Sequence, residues 1–342
     1  MSQKIVANFF RYASQSGASH LVILNRDNKL FLECHFSDGR KQSFSLPPKI
    51  NPDITDSLRS IFQIKPGELP AGKAVKMKVP SGRLDFHVTI TPSDNQEKII
   101  ISIIDKNQRN WRLSQLGLQT HQKKEILNFL QKKSGLLIVS SPPNQGKSAT
   151  AFAIAAEKNS ENNSLYALED LPEAKLDGIN CLPQNADNWA RMLKYDADLI
   201  IADSLEKDDN LENALKTAST GRLVIGAMEA ADSLEVLGKI SSLNLPLKFC
   251  LDNLKMIVNQ RLATFDSALK STPTKKRRII GLFEILKITP RLKKMLINNG
   301  RTSDPKFWIE VKSTAMREGF RPLELDRQKK IKNRIITGSS NN

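Results

Sequence analysis

Residues 136–157 constrain the fold more than any other stretch of this chain. Leu136-Leu137-Ile138-Val139-Ser140 is an apolar run with the length of a buried strand. Ser141-Pro142-Pro143-Asn144-Gln145-Gly146-Lys147-Ser148 follows it, and the alanine-rich segment Ala149 to Glu157 has helical composition. Strand, glycine-containing loop and helix in that order make a phosphate-binding P-loop. Loop N–H groups and the helix N-terminus together form a positive concavity for phosphate oxygens. Gly146 lets the backbone come close to the phosphates because it has no Cβ. Lys147 is placed to reach the β and γ phosphates of a nucleoside triphosphate, and the Ser148 hydroxyl to hold Mg²⁺. The expected contact set is therefore Ser141 to Ser148 with Ala149, and ATP is the expected nucleotide. The motif departs from Gly-x4-Gly-Lys-[Ser/Thr] at its first glycine, which is Ser141 here. The competing reading is a glycine turn ahead of an ordinary helix.

A second element fits the first. Asp198-Leu199-Ile200-Ile201-Ala202-Asp203 is an apolar run that ends in a carboxylate. In P-loop proteins such a carboxylate sits beside Mg²⁺, so Ser148 and Asp203 are the candidate metal residues. A solvent-facing aspartate at a strand end is the alternative.

The order of elements divides the chain. Residues 1–106 read as short strands with a few helices, which is a small α+β domain. Runs at 21–24, 29–36, 73–79, 84–90 and 98–104 have strand composition, and Asn51 to Gln63 reads as a helix. Residues 107–118 carry Asn107, Asn110, Ser114 and Gly117 and read as a linker. From 119 to 282, strands at 136–140, 164–168, 198–202 and 222–227 alternate with helical segments, the pattern of a parallel sheet flanked by helices. Residues 283–342 read as helical with breaks at Pro290, Gly300 and Pro322, ending in a polar tail.

Composition narrows the setting. No run of about 18 apolar residues occurs, which argues against a membrane span. Cys34, Cys181 and Cys250 are far apart and form no Cys-x-x-Cys pair, which argues against disulfides and zinc and for a reducing cytoplasm. The net charge is +16, from 52 Lys plus Arg against 36 Asp plus Glu, with clusters at 275–278, 291–294 and 327–334. A solvated surface explains this as well as any partner, and an acidic protein or lipid comes next. No aromatic-interleaved basic stripe is visible, so nucleic acid ranks last.

With these elements placed, the chain resembles the motor ATPases of type II secretion and type IV pili. The resemblance covers roughly residues 15–335. Gly17-Ala18-Ser19-His20-Leu21, Phe36-Ser37-Asp38-Gly39 and Gln96-Glu97-Lys98-Ile99 carry it in the first domain. Leu116-Gly117-Leu118, the Asp-box-like Ala167-Leu168-Glu169-Asp170, Ala218 to Val224, and Asn259-Gln260-Arg261-Leu262 carry it in the second. The resemblance implies a RecA-like P-loop motor domain preceded by a small α+β PAS-like domain. It implies a ring of six subunits, homomeric or mixed, with ATP held between the domains and near a neighbouring subunit. It also implies an inner-membrane platform protein as partner and a cytoplasmic location at that membrane. The family's N-terminal docking arm has no counterpart here, and Leu262 to Arg277 lacks its four-cysteine zinc insert. Both absences point to the compact, retraction-type members.

The departures from the family pattern bear on catalysis. The Walker B Glu falls on Ser204 and its Arg on Glu206. The His-box histidine falls on Glu229. Two first-domain arginines that reach the γ-phosphate fall on Lys73 and His87. Glu169 remains, as the residue to polarise the attacking water, with Glu173 as the fallback and a solvated turn as the alternative. An arginine finger contributes about 10³ to 10⁵ in rate. Lysine keeps the charge without the fork, and neutral histidine keeps less. Binding nearly intact and hydrolysis weakened is the expectation, with Arg83 and Arg222 as nearby compensating candidates. A nucleotide-binding subunit that hydrolyses little is the second reading, and a RecA-like motor on nucleic acid the third.

Overall fold

The computed structural model describes residues 2–26, 29–36, 40–46, 51–65, 68–69, 73–79, 82–93, 96–104, 112–160, 162–169, 178–264, 279–299 and 304–336. The chain divides into two compact units, Met1–Gln108 and Arg109–Asn342.

The first unit is an antiparallel sheet with two helices. In chain order it holds α1 (Ser2–Ser16), β1 (His20–Arg26), β2 (Lys29–His35), β3 (Lys41–Leu46), α2 (Asn51–Ile61), β4 (Lys73–Val79), β5 (Gly82–Ser93) and β6 (Gln96–Ile104). The strand order is β3-β2-β1-β6-β5-β4. Alternate residues of β5 and β6, Phe86, Val88, Ile90, Ile99, Ile101 and Ile103, are buried on one face, as a one-sided sheet requires. Val6, Phe10 and Ala13, spaced four and three apart on α1, join this core. The Phe10 ring lies against Phe62 and Phe86. Neither α1 nor β3 is among the elements expected from the sequence.

The second unit is the α/β layer. After a 3₁₀ turn (Leu113–Gln115) it holds α3 (Thr120–Leu130), β7 (Gly135–Ser141), α4 (Lys147–Ala156), β8 (Leu165–Glu169), β9 (Ile179–Pro183), α5 (Ala186–Lys194), β10 (Leu199–Ala202), α6 (Asp208–Ser219) and β11 (Leu223–Glu229). Then come α7 (Ser233–Ser242), α8 (Leu247–Asn253), β12 (Leu254–Thr264), β13 (Ile279–Lys287), α9 (Pro290–Asn299), α10 (Pro305–Arg317) and α11 (Leu323–Lys332). The sheet order is β13-β12-β7-β11-β10-β8-β9. Neighbours pair in parallel from β12 to β9, and only β13 runs antiparallel, at one edge. Every residue of β7 is buried. Leu136 and Ile138 enter the core on one face and Leu137 and Val139 the core on the other, so both faces of the sheet are covered.

Two expected boundaries differ from the structure. Leu113 and Leu116, expected in a linker, are buried in the core under α3 and α4. Gly281 N–H donates to the Leu116 carbonyl at 2.9 Å. Gly117 has φ +93°, and a Cβ there would stand 2.3 Å from Ile280 Cγ1. The described part of 107–118 is therefore built into the second unit. The expected boundary at 282 falls inside β13, because that strand completes the sheet before the helices begin.

The last helix is locked to that edge strand by a buried ion pair. Lys330 Nζ donates to Asp326 Oδ2 at 2.6 Å, with 5% and 2% of the side chains exposed. Asp326 also accepts from the Phe283 N–H at 2.9 Å and from the Gln119 amide. Lys330 donates to the Gly281 carbonyl at 2.7 Å. Burial pulls the Lys330 ammonium below its ordinary pKa, and Asp326 opposes that in part. Glu284, also on β13, accepts from the N–H and hydroxyl of Ser233 at 2.8 and 2.7 Å and from the Leu323 N–H at 2.9 Å. One buried carboxylate thereby caps the first turns of α7 and α11.

Candidate nucleotide site

The site forms at the carboxyl ends of the parallel strands, where open α/β sheets bind their ligands. β7 delivers the chain to the loop and α4 carries it away. Gly146 caps α4 at φ 80°, ψ 25°, in the left-handed region that glycine adopts without penalty. Asn144 also has a positive φ, 59°, a conformation asparagine tolerates better than most residues. Ser141 is still in the strand, paired opposite Glu229. Its φ is not positive, so the missing first glycine asks nothing unusual of the backbone. Its hydroxyl donates to the Pro142 carbonyl at 2.7 Å. Pro142 and Pro143 carry no N–H, so they give shape and no donor. The donors of a cradle come from Asn144, Gln145 and Gly146 and from the first turn of α4 at Lys147, Ser148 and Ala149, whose N–H groups have no intrahelical acceptor.

The loop is clamped from the far side. Gln145 Oε1 accepts from the Leu262 N–H at 2.7 Å, and the Gln145 carbonyl accepts from the Gln260 amide. A Cβ on Gly146 would stand 3.3 Å from Gln260 Nε2. Asn259, one residue earlier on β12, donates to Ser140 Oγ at 3.0 Å and to the Ala230 carbonyl at 3.2 Å. Sequence reasoning did not give Asn259 and Gln260 this role. The only signal was their place in a stretch shared with the motor ATPases.

On the sheet side, Ser148 Oγ donates to Asp203 Oδ1 at 3.1 Å. The two expected metal residues, 55 positions apart, are brought together. A hydroxyl beside a carboxylate is an oxygen donor set that suits Mg²⁺. The Asp203 N–H donates to the Leu168 carbonyl at 2.9 Å, fixing the turn after β10. Glu169 ends β8 with its side chain fully buried, and its carbonyl accepts from the Gln184 N–H at 3.1 Å. Glu173 and Asp170 lie outside the described residues.

The altered positions form a charged cluster at the ends of β10 and β11. Lys147 Nζ donates to Glu229 Oε1 at 3.3 Å, with 15% and 48% of the side chains exposed. The Glu229 N–H donates to the Glu206 carboxylate. Lys239 Nζ donates to the Glu229 carbonyl at 2.6 Å and stands 3.6 Å from Glu206 Oε2. Ser204 holds no charge; its carbonyl accepts from the side-chain amides of Gln184 and Asn210.

Arg222 does not compensate from within the same chain. It precedes β11, at the opposite end of that strand from Glu229. Seven strand residues at about 3.3 Å each separate it from the site by about 20 Å. Its guanidinium instead donates to the Leu193 and Tyr195 carbonyls, both at 3.0 Å, at the end of α5. In the first unit, Lys73 pairs with Val88 and His87 with Ala74 across β4 and β5. The side chains of Lys73, His87 and Arg83 lie outside the described residues.

The type IV pilus assembly ATPase PilB of Acinetobacter baylyi is 22% identical over 340 residues, covering 86% of this chain and 58% of PilB. The type II secretion system protein E of Dickeya dadantii is 22% identical over 201 residues, covering 57% of this chain and 40% of that protein. The chain thus spans a little over half the length of the pilus assembly ATPase it matches. Among solved structures, the Legionella pneumophila ATPase DotB superposes with a TM-score of 0.72 at 16% identity, covering 99% of this chain and 94% of DotB. The pilus retraction motor PilT with bound ADP superposes with a TM-score of 0.68 at 18% identity, covering 98% and 95%. The fold is thus a RecA-like P-loop domain preceded by a small α+β PAS-like domain. Residues 3–321 match the family described as type II/IV secretion system protein, and the chain belongs to that family.

Proposed function

We propose that this chain is an ATP-binding motor subunit of a type IV pilus or type II secretion-like machine. The observation that carries the reading is the 3.1 Å Ser148–Asp203 pair directly beneath the Gly146–Lys147 turn. That pairing joins a phosphate cradle to a metal-compatible edge. The N–H groups of Asn144 to Ala149 would bind phosphate oxygens, and Lys147 would leave Glu229 to reach the β and γ phosphates. Ser148 and Asp203 would hold Mg²⁺. When bound, Mg²⁺ neutralises charge on the β and γ oxygens. Glu169 belongs to the same strand edge, and its burial suits support of that edge from behind. Lys73 and His87 are proposed to act on the γ-phosphate from the first domain, more weakly than arginines would.

The reading extends to assembly. A ring of six subunits, homomeric or mixed, would act on an inner-membrane platform protein from the cytoplasmic side. Similarity to proteins named as pilus and secretion ATPases supports it. Among the described residues no helix is long and apolar enough to cross a membrane. A second reading has its own support. Ser204, Glu206 and Glu229 replace the charges expected there, and Lys147 already has a carboxylate partner. A nucleotide-binding subunit that hydrolyses slowly and serves ring assembly would look like this.

Steady-state ATP hydrolysis beside a Lys147→Ala variant separates the two readings. The motor reading expects turnover that the variant lacks. Turnover no higher than the variant's, with ATP still bound by the wild type, would leave the assembly subunit. Mass photometry with a non-hydrolysable ATP analogue should give a particle near six subunits. A monomer at every concentration would sink both.

A further inference from the structure

We propose that Glu229 is the carboxylate that takes the proton of the attacking water during nucleotide hydrolysis by this chain. The proposal rests on the nucleoside-triphosphate reading above. The residue sits where the motor ATPases carry a histidine, so by sequence alone it looks like a loss.

Three observations carry it. The first is contact. Glu229 Oε1 is 3.3 Å from Lys147 Nζ, the ammonium that a γ-phosphate would occupy. When that ammonium turns to phosphate, the carboxylate it leaves is the one beside the γ-phosphate. The second is position. β11 is the immediate neighbour of β7, and Glu229 pairs with Ser141, where the loop begins. β8, which carries Glu169, is three strands from β7. Glu169 is therefore next to the Asp203 side of the site, through the Asp203 N–H to Leu168 carbonyl bond, and Glu229 next to the Lys147 side. The third is availability. Glu229 is half exposed, so water reaches it, whereas Glu169 is fully buried. Asp203 is engaged by Ser148, and Glu206 by the Glu229 N–H and Lys239.

The neighbours also fix Glu229 in place. Its N–H is held by Glu206 and its carbonyl by Lys239, which limits how far its backbone moves between states. In the step itself, the water oxygen bonds to the γ phosphorus. The bond from that phosphorus to the β–γ bridging oxygen breaks, and the electron pair stays on ADP. One water proton passes to a Glu229 carboxylate oxygen and then to solvent, and ADP and inorganic phosphate leave. In the empty site the same carboxylate is the counter-ion of Lys147, so it competes with the γ-phosphate for that ammonium.

The test uses the full chain as wild type, Glu229→Gln, Glu169→Gln and Lys147→Ala. Binding of fluorescent ATP and ADP analogues is measured without turnover, and initial rates with Mg²⁺ and ATP. Glu229→Gln should still bind, with its affinity for ATP over ADP raised about two- to five-fold, because the competing charge is gone. Its hydrolysis should fall about 100-fold or more, the share of a general base. Glu169→Gln should stay within about ten-fold of wild type. Wild-type turnover in Glu229→Gln, or a larger loss in Glu169→Gln, overturns the assignment while leaving nucleotide binding intact. A wild type that binds ATP but turns over no faster than Lys147→Ala overturns it too. A wild type that binds no triphosphate removes the functional reading on which it rests.

Discussion

Two lysine–carboxylate pairs in the second unit have the same chemistry and opposite settings. Lys330–Asp326 is almost fully buried, 2.6 Å long, and tied into the 3₁₀-to-α3 segment and β13 through Gln119, Gly281 and Phe283. Lys147–Glu229 is 3.3 Å long, and its carboxylate is half in water. A buried pair with further hydrogen bonds on both partners cannot be opened without stranding a charge, which costs about 3 to 5 kcal/mol. A half-exposed pair is held by about 0 to 1 kcal/mol. The first is built to stay closed and fasten a helix to a sheet edge. The second is cheap to break, as a lysine that must exchange a carboxylate for a phosphate requires.

The comparison breaks first at Lys330. Lys330→Met should destabilise the second unit by about 3 kcal/mol or more, read by chemical denaturation through Trp189 and Trp308 fluorescence. Lys330→Met combined with Asp326→Leu should recover most of that loss, because no charge is left unpaired. The pH dependence sharpens the point. Lys330 loses its proton more readily folded than unfolded, so its contribution to stability rises with pH from its lowered pKa toward 10.5. Lys330→Met should flatten that rise. A Lys330→Met protein as stable as wild type would remove the contrast.

At the loop, Lys147→Met should change stability by less than about 1 kcal/mol in the same denaturation experiment. A loss comparable to that of Lys330→Met would mean the loop pair is structural. The smallest effect is expected at a more exposed cluster, Asp252 with Lys248 and Lys293. Hydrogen bonds from Lys248 and then Lys293 hold the Asp252 carboxyl down to about 2, tying α8 to α9. That stability is present above pH 3.8 and is lost as pH falls toward 2. Asp252→Asn should cost under about 1 kcal/mol at neutral pH, and its difference from wild type should vanish in acid.

How much of this was legible in the sequence follows from the range of each interaction. The P-loop was legible because strand, turn and helix are contiguous, and β7 is a continuous apolar run, as a strand buried on both faces must be. Asp203 was found by the same signal on β10. β9 was missed because it is an edge strand buried fully only at Ile179, so its pattern is mixed. α1 was missed although Val6, Phe10 and Ala13 have helical spacing, since so short a stripe does not stand out alone. Glu284 could not be read, because its partners Ser233 and Leu323 lie tens of residues away. Asp326 and Lys330 stand four apart on α11, but the burial of their pair depends on Gln119, Gly281 and Phe283, which no periodicity links to them. Glu229 shows the limit most clearly. The family resemblance marks it as the place of a histidine, yet its proximity to Lys147 across 82 positions comes only from the order of the strands.

Isothermal titration with Mg²⁺–ATP is the direct test of the central claim, that the Gly146–Ser148 turn is the nucleotide site and Lys147 is its exchangeable charge. Wild type should bind one ATP per chain or a simple fraction of it in a ring. Lys147→Met, with unchanged stability, should bind about ten- to a hundred-fold more weakly, the share of a charged hydrogen bond. Equal affinity in the two proteins would contradict the account.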